Sequence, residues 1–436
     1  VDVGVEDADE HGRGAADRAD LREPVVGAAM FVCVLYPYVY LLARVAFLEQ
    51  SPSMSEAGRT LGLSSRAAFF RLSLPMARPA IAAGAALALM ETLADFGTVS
   101  YFGVQTFTTG IFRAWMSMGE PVTAAKLAAM LLAFVAAVVV AERVSRRGAR
   151  FHDPQRRTRR GPRPLRGWRS AAALAVCVLP LLAGFVVPVI LLLRMSLDSG
   201  DAQFGPRFLR MAANSATLST ATAILAVALA LVLAYGARLS RSRIAAAANR
   251  LAGLGYAIPG AVIAIGVLIP VTRIDHWIAD AGIASRVVLT GSIAVLVYAY
   301  LIRFLGVALQ TVEAGLARVT PNMEDAARSL GMGAGATLAR VHAPMLRSSL
   351  LTAGLLVFVD VMKELPATFV MRPFNFDTLA VQAYNLAADE RLAEASTASL
   401  AIVAVGLLPL ILASRRMVRR EMTAATTGVA ATPAGA

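Results

Sequence analysis

The chain of 436 residues is too apolar and too poor in charge for an ordinary water-soluble enzyme. Hydrophobic residues make up 57% of it and charged residues 16%, whereas soluble domains carry about 45–50% apolar and roughly 25% charged residues. The formal charge of +13 does not require a nucleic-acid partner, because multi-span membrane proteins concentrate arginine in their cytoplasmic loops. These figures predict an all-α polytopic membrane protein.

Apolar blocks in chain order predict nine membrane spans. Each block has the length, about 20 residues, that a helix needs to cross a hydrocarbon core of roughly 30 Å. The predicted spans are 25–47, 77–96, 122–141, 170–193, 213–236, 250–271, 287–309, 347–366 and 395–413. Three polar stretches complete the chain: the N-terminal segment 1–24, the arginine-rich linker 142–169 and the tail 414–436.

The basic residues predict the orientation of these spans. One set of alternate connections carries 27 Lys and Arg and the other carries 11. The richer set is expected to lie in the cytoplasm, and it includes the linker 142–169 and the C-terminal tail. The eleven arginines of the linker predict contact with anionic lipid head groups rather than with nucleic acid.

Catalytic side chains are not expected. Lys126 and Lys363 are the only lysines, and neither stands in the Gly-Lys-Ser/Thr sequence of a phosphate-binding loop. Cys33 and Cys177 have apolar neighbours and no paired spacing, and the four histidines do not form a metal-binding motif. We expect that the chain binds no cofactor, that no metal site can be assigned, and that any ATP is used by a partner.

A segment of the chain recurs at a fixed distance. Residues 56–62 (Glu-Ala-Gly-Arg-Thr-Leu-Gly) resemble residues 325–331 (Asp-Ala-Ala-Arg-Ser-Leu-Gly), a shift of 269 positions. At the same shift Pro75 falls on Pro344. Because both copies lie in the arginine-rich set of connections, the chain is predicted to hold two parallel repeats of one membrane module.

The two predicted modules are residues 25–141 and 170–413, with their repeated loops at 51–75 and 310–345. The first module has three predicted spans and the second has six. From this difference we expect an N-terminally truncated or mis-started form of a chain with about twelve spans. The alternative is a complete nine-span protein whose N-terminus lies outside.

The repeated loop resembles the coupling loop of permease subunits of bacterial binding-protein-dependent ABC importers, the type I (MetI-like) permeases. That resemblance implies docking onto a separate ATP-binding-cassette ATPase homodimer in the inner membrane. An acid in the first turn suits the helix dipole, and small residues let another surface approach. The residues assigned to ATPase coupling are Glu56, Ala57, Gly58, Gly62, Pro75, Asp325, Ala326, Ala327, Gly331 and Pro344.

An acidic pair follows each loop, Glu91 with Asp95 and Asp360 with Glu364. A spacing of four predicts that each pair lies on one helical face, and ionisable groups at membrane depth usually face a bundle interior or a water-filled path. We expect these acids to line the translocation pathway. The alternative is that Lys363 pairs with one acid while the others contact water or cap helix breaks beside Gly97 and Pro366.

The segments around these acids, together with residues 372–379 (Arg-Pro-Phe-Asn-Phe-Asp-Thr-Leu), are similar to those of fused ferric-iron importer permeases. This resemblance implies a periplasmic substrate-binding protein that delivers Fe³⁺. Permeases for thiamine or aminoethylphosphonate share the architecture and stay open as alternatives. An ion-coupled secondary transporter would explain buried acids but not two docking loops, and an integral-membrane enzyme such as a lipid transferase would need clustered catalytic groups. A last possibility is that the shortened chain has no function.

Overall fold

The structure is a computed structural model, and it describes residues 6–50, 52–146, 166–198, 205–240, 242–282, 288–407 and 411. Within these ranges every regular element is helical. The helices are α1 (Glu6–Leu48), α2 (Pro52–Thr60), α3 (Ser65–Ala68), α4 (Leu74–Ala94), α5 (Gly97–Tyr101), α6 (Phe107–Phe112), α7 (Pro121–Arg146), α8 (Trp168–Leu181), α9 (Val187–Asp198), α10 (Pro206–Ser240), α11 (Arg243–Ala252), α12 (Gly260–Asp280), α13 (Ile293–Leu316), α14 (Pro321–Ser329), α15 (Ala334–Thr337), α16 (Ala343–Met362), α17 (Pro366–Met371), α18 (Leu379–Ala388) and α19 (Leu392–Leu407).

Irregular turns flank several of these helices, and three of them join consecutive helices into one continuous segment: α3 with α4, α8 with α9, and α15 with α16. Wider π-helical turns occupy Phe69–Ser73, Arg113–Ser117, Leu182–Val186 and Leu338–His342, and a 3₁₀ turn occupies Gly253–Ala257. Such turns let a helix continue while its side chains rotate to a new face.

Eight segments of the described chain are long and apolar enough to cross a membrane. They are Val25–Leu48, Ser65–Ala94, Pro121–Ser145, Trp168–Asp198, Pro206–Ser240, Gly260–Asp280, Ile293–Leu316 and Ala334–Met362. They confirm an all-α multi-pass protein and match eight of the predicted spans in order. At the position of the ninth, 395–413, the apolar helix α19 is shorter than a full span, and residues 408–410 lie outside the described part of the chain.

The predicted limits of span 250–271 are wrong by about ten residues at its start. Residues Arg243–Ala252 form a separate helix with apolar and polar sides, and the chain then makes a 3₁₀ turn before α12 begins at Gly260. Pro259 precedes α12, and a residue before proline is biased away from helical angles. The predicted span therefore takes in the last three residues of this amphipathic helix and the whole 3₁₀ turn.

The contacts divide the chain into two compact units. One comprises Val1–Leu191 with Ala257–Ile265, and the other comprises Leu192–Tyr256 with Gly266–Ala436. This division does not fall in the predicted linker 142–169, most of which lies outside the described residues. The module limits therefore stay a prediction.

The first unit is built on close contact between α1 and α4. A Cβ atom at Gly84 of α4 would lie 2.6 Å from Val39 Cα and 2.9 Å from the Tyr38 carbonyl oxygen of α1. Ala83 and Ala86 are buried beside it. Small residues let two backbones approach closely, which is how helices associate where lipid removes the hydrophobic driving force.

The second unit is built on α10, α13 and α16, which pack against one another. Leu296, Leu309 and Val357 are almost completely buried among them. Close approach recurs at Gly306 of α13, where a Cβ atom would lie 2.7 Å from the Gly253 carbonyl oxygen. This three-helix core carries the second repeated loop.

The predicted repeat is confirmed in the helix positions. Moving Pro52–Thr60 forward by 269 residues gives Pro321–Ser329, and the same shift carries α3 onto α15. The π turns Phe69–Ser73 and Leu338–His342 also correspond at 269. Two segments of different sequence therefore fold into the same succession of elements.

Candidate coupling loops and acidic pairs

The first loop helix ends in a glycine turn. The Leu63 N–H donates to the Gly58 carbonyl at 2.9 Å, and the Gly62 N–H donates to the Arg59 carbonyl at 3.0 Å. Gly62 has φ +80°. This pair of bonds with a left-handed residue is the Schellman ending, which satisfies carbonyls that the helix leaves free.

The second loop helix ends in the same way. The Met332 N–H donates to the Ala327 carbonyl at 3.0 Å, the Gly331 N–H donates to the Arg328 carbonyl at 2.9 Å, and Gly331 has φ +78°. The prediction that a glycine tolerant of positive φ stops each helix is confirmed at both positions.

The acid and the first small residue of each motif face outward. Glu56 and Ala57 are exposed on α2, and Asp325 and Ala326 are exposed on α14. Arg328 lies 3.6 Å from Asp325 in an exposed ion pair. An outward face of this kind is compatible with docking onto another protein.

The third residue of each motif faces inward, contrary to the expectation that it helps a partner to approach. Ala327 is 3% exposed, and a Cβ atom at Gly58 would lie 2.7 Å from Leu72 Cδ1. Side chains of neighbouring helical residues point about 100° apart. When the second residue of the motif faces outward, the third residue is therefore turned toward the rest of the chain. At Gly58 and Ala327 the small side chain lets the loop helix pack on its own chain.

A leucine that sequence reasoning did not single out projects from both loops. Leu61 is 81% exposed and Leu330 is 79% exposed, and they are 269 positions apart. Each stands immediately before the terminating glycine. A single exposed leucine needs no explanation, but the same exposure at matched positions of a repeat points to a shared use. The sequence contains a signal for these leucines, because a Leu-Gly pair ends both motifs.

Pro75 and Pro344 lie in the first turn of α4 and α16, and both are exposed. Each proline lies just after a π turn inside a continuous helical segment, so the N–H that proline lacks falls where the regular hydrogen-bond pattern is already interrupted. The predicted position of both prolines at the start of the next helix is confirmed.

The Asp95 carboxylate caps the short helix α5. Its Oδ1 accepts hydrogen bonds from the Thr98 N–H at 3.0 Å and the Val99 N–H at 3.1 Å, and its Oδ2 accepts from Thr98 Oγ1 at 3.2 Å. Among the described residues, no basic group lies within ion-pair distance of this carboxylate. Asp95 therefore satisfies helix donors with neutral partners.

The Glu364 carboxylate makes the corresponding cap on α17 and adds a cation. The Ala367 N–H donates to Oε1 and the Thr368 N–H to Oε2, both at 3.0 Å. Thr368 Oγ1 donates to Oε2 at 2.7 Å, and Arg303 Nη1 lies 3.1 Å from Oε1. The Glu364 side chain is 2% exposed, so this is a buried ion pair.

The prediction that each acidic pair shares one helical face is wrong. Helix α4 ends at Ala94 and α16 ends at Met362, so Asp95 and Glu364 lie beyond the helices that carry Glu91 and Asp360. Asp360 lies 3.1 Å from Lys363 Nζ. The alternative of helix capping and pairing with Lys363 accounts for three of the four acids.

Metal-ligating groups do not gather in the described part of the chain. No group of three or more His, Cys, Asp or Glu side chains that could hold a metal ion occurs among the described residues. Cys33 is half-buried and Cys177 is exposed, and both are free thiols.

Sequence reasoning also missed a polar cluster beneath the second loop. Arg238 of α10, Glu324 of α14 and the fully buried His342 converge there, with Arg238 Nε 2.6 Å from Glu324 Oε1. Their separation along the sequence, 86 residues for the ion pair, left no local signal.

Known proteins resemble this chain over both modules. The family described as "binding-protein-dependent transport system inner membrane component" matches residues 23–150, which include the first loop. The Fe(3+)-transport system permease protein FbpB 2 of Haemophilus influenzae is 29% identical over 388 residues, covering 86% of this chain and 73% of that protein.

Other relatives match shorter stretches. The molybdate/tungstate transport system permease protein WtpB of Pyrococcus abyssi is 34% identical over 80 residues, 18% of this chain and 32% of that protein. The putative 2-aminoethylphosphonate transport system permease protein PhnV of Salmonella typhimurium is 25% identical over 167 residues, 38% of this chain and 58% of that protein. A solved bacterial ABC transporter involved in alginate import superposes with TM-score 0.48 and 17% identity, covering 58% of this chain and 96% of that one. Residues 23–150 thus match a family of binding-protein-dependent inner-membrane transport components, and over most of its length the chain is similar to a permease protein of an Fe(3+)-transport system.

Proposed function

We propose that this chain is the transmembrane permease subunit of an importer that moves ferric iron from a periplasmic binding protein into the cytoplasm. A separate ATPase homodimer would drive the two modules between outward-open and inward-open states. The observation that carries the proposal is the pair of loops, which end in the same glycine turn and expose the same acid, alanine and leucine. The similarity to an Fe(3+) permease over most of the chain supports iron as the cargo.

The chain's own residues would bind partners rather than perform chemistry. ATP would be hydrolysed by the partner, and the chain itself would carry no cofactor. The C-terminal tail and both loops would lie on the cytoplasmic side of the inner membrane, in line with the excess of arginine in these connections. We further propose that residues 25–141 and 170–413 act as two modules of one pathway.

Glu91 and Asp95 are the acids that we propose to line the pathway. Asp95 has neutral partners only, among the described residues, and it stands at the end of a span. A trivalent cation with a preference for oxygen ligands would be attracted by such a carboxylate. Glu364 and Asp360, by contrast, already have cationic partners.

The similarity to a 2-aminoethylphosphonate permease favours a second candidate cargo. Uptake into proteoliposomes that contain the chain, its ATPase and its binding protein separates the two. We expect uptake of ⁵⁵Fe³⁺ that depends on ATP, and no uptake of aminoethylphosphonate, thiamine or molybdate. ATP-independent uptake driven by an ion gradient would instead indicate a secondary transporter.

ATPase docking is tested through the two exposed leucines. Replacing Leu61 and Leu330 together with aspartate puts a charge at the centre of each outward face, so co-purification of the ATPase with the tagged chain should be lost. The control is Phe374→Asp, since Phe374 is 95% exposed but lies beyond the other end of α16. Retention of the ATPase by the variant with both leucines replaced would refute the docking role of Leu61 and Leu330.

A further inference from the structure

Helix α14, the second loop helix, is too short to be stable by itself. It has nine residues, whereas isolated helices shorter than about 12–15 residues are marginal in water. Its position must come from contacts with the rest of the second unit. The polar cluster of Arg238, Glu324 and His342 supplies those contacts.

The Arg238 guanidinium joins three helices. It lies in the last turn of α10, and its Nε donates to Glu324 Oε1 of α14 at 2.6 Å. Nη1 donates to the Leu316 carbonyl at 2.5 Å and Nη2 donates to the Val319 carbonyl at 2.7 Å. Those carbonyls belong to the end of α13 and the turn after it, where a cation is favoured by the helix dipole. Because the guanidinium group is planar and rigid, it fixes the directions of all three hydrogen bonds together.

Two more residues extend this attachment to the helix that follows the loop. The hydroxyl of Tyr235 in α10 donates a hydrogen bond to the Ala334 carbonyl of α15 at 3.2 Å, and its ring lies at a tilted angle 5.0 Å from that of His342. His342 is fully buried, and its Nε2 lies 3.4 Å from Glu324 Oε1. Both sides of the second loop are therefore tied to the end of α10.

The first loop is attached in a different way. The Gln50 side chain donates Nε2–H to the Ser73 carbonyl at 2.8 Å, a neutral bond. At the shift of 269, serine stands at both matched positions: Ser55 at that of Glu324, and Ser73 at that of His342. The acid that pairs with Arg238 therefore has no acidic counterpart at the matched position of the first loop.

We propose that Arg238 and Glu324 are positioning residues that make the second loop helix move as one body with α10 and α13. The loop would then pass movement of the ATPase directly to these two spans, while the first loop follows more loosely. This inference rests on the proposed function, and it adds which residues link the docking helix to the spans.

The test replaces the pair with apolar residues of similar size, Arg238→Met with Glu324→Leu. Such a replacement of a buried ion pair often leaves stability unchanged, whereas removal of one partner strands a charge. The double variant should therefore fold but lose the attachment. The matched control is Arg391→Gln with Glu394→Gln, an exposed ion pair outside both loops.

Two measurements on the full chain decide the outcome. Hydrogen exchange of the amides in α14 should become faster by about tenfold or more, in keeping with the loss of charge-assisted bonds, while exchange in α2 stays unchanged. In proteoliposomes with the ATPase and binding protein, the number of ATP molecules hydrolysed per ion imported should rise by a similar factor. Glu324→Gln keeps an acceptor oxygen without the charge, so its exchange rate in α14 and its ATP-to-ion ratio should both lie between those of the wild type and the double variant.

Unchanged exchange in α14 and an unchanged ATP-to-ion ratio in the double variant would overturn the inference. If the double variant fails to fold, Glu324→Gln with wild-type exchange would overturn it equally. The failure of the proposed function looks different: no ATPase would then co-purify with the wild-type chain, whereas exchange in α14 would still report on the attachment.

Discussion

Removal of the Glu364 side chain should destabilise the protein far more than removal of Asp95, although both carboxylates cap the helix that follows. Glu364→Ala leaves the Arg303 guanidinium without its acid in a site where the two side chains are 13% and 2% exposed. Breaking a buried pair by removing one partner costs about 3–5 kcal/mol. Asp95→Ala loses the cap alone, which costs about 0.5–2 kcal/mol.

The two costs just given differ by about 1–4.5 kcal/mol, which is the expected difference in the free energy of unfolding between the two matched positions. Denaturant titration of the purified chain in a fixed detergent, read by tryptophan fluorescence, measures it. Arg303→Ala combined with Glu364→Ala removes the stranded charge and should recover part of the loss.

Equal destabilisation by Glu364→Ala and Asp95→Ala would refute the reasoning, because it would mean that the Arg303 contact contributes nothing. The same variants also test the pathway hypothesis. Asp95→Asn should keep stability nearly normal, since an amide oxygen can still accept from the α5 donors, yet it should lower iron uptake if the charge attracts the cargo.

Four further substitutions test helix packing, a left-handed backbone position and a buried hydrogen bond. Gly84→Val should destabilise the protein by about 1–3 kcal/mol, because the new side chain meets the backbone of α1. A Cβ atom at Gly236 meets nothing within 4 Å, so Gly236→Ala should be neutral or stabilising. Thermal unfolding measures both. Asn375→Gly should raise the unfolding temperature slightly, because Asn375 has φ +61°. Tyr300→Phe should cost about 0.5–1.5 kcal/mol through loss of the buried 2.6 Å bond to Thr368; an unchanged denaturation midpoint would contradict that bond.

The sequence was sufficient for the features that depend on local composition. Membrane spans follow from apolar length, and helix ends follow from glycine, so Gly62 and Gly331 were placed correctly with their left-handed turns. The repeat was visible because the residues that shape the loop were kept in both copies. These signals need no knowledge of what lies across the bundle.

The features that failed depend on contacts between distant segments. The four-residue spacing places Asp95 and Glu364 on the helical face of the preceding acid only if the helix continues to them. Helix α4 ends one residue before Asp95, and α16 ends two residues before Glu364. Sequence periodicity does not show either end. The inward position of Gly58 depends on Leu72, which lies on the next helical segment. The attachment of Glu324 depends on Arg238, 86 residues away. In each case the chemistry of the group can be read from the sequence, whereas the residue that it contacts cannot.

The two copies differ most where charge is buried. Arg303, which neutralises Glu364, has an apolar and exposed counterpart in the first copy, Leu41, at the 262-residue shift of the preceding helix. The second copy therefore pairs its acid internally, while the first leaves Asp95 with neutral donors. The caps themselves are the same, so helix termination cannot be the reason for the difference. Asp95 is half-buried and its oxygens accept three hydrogen bonds from neutral donors, so its negative charge stays available to a cation, and in the proposed importer of Fe³⁺ the cargo would be that cation.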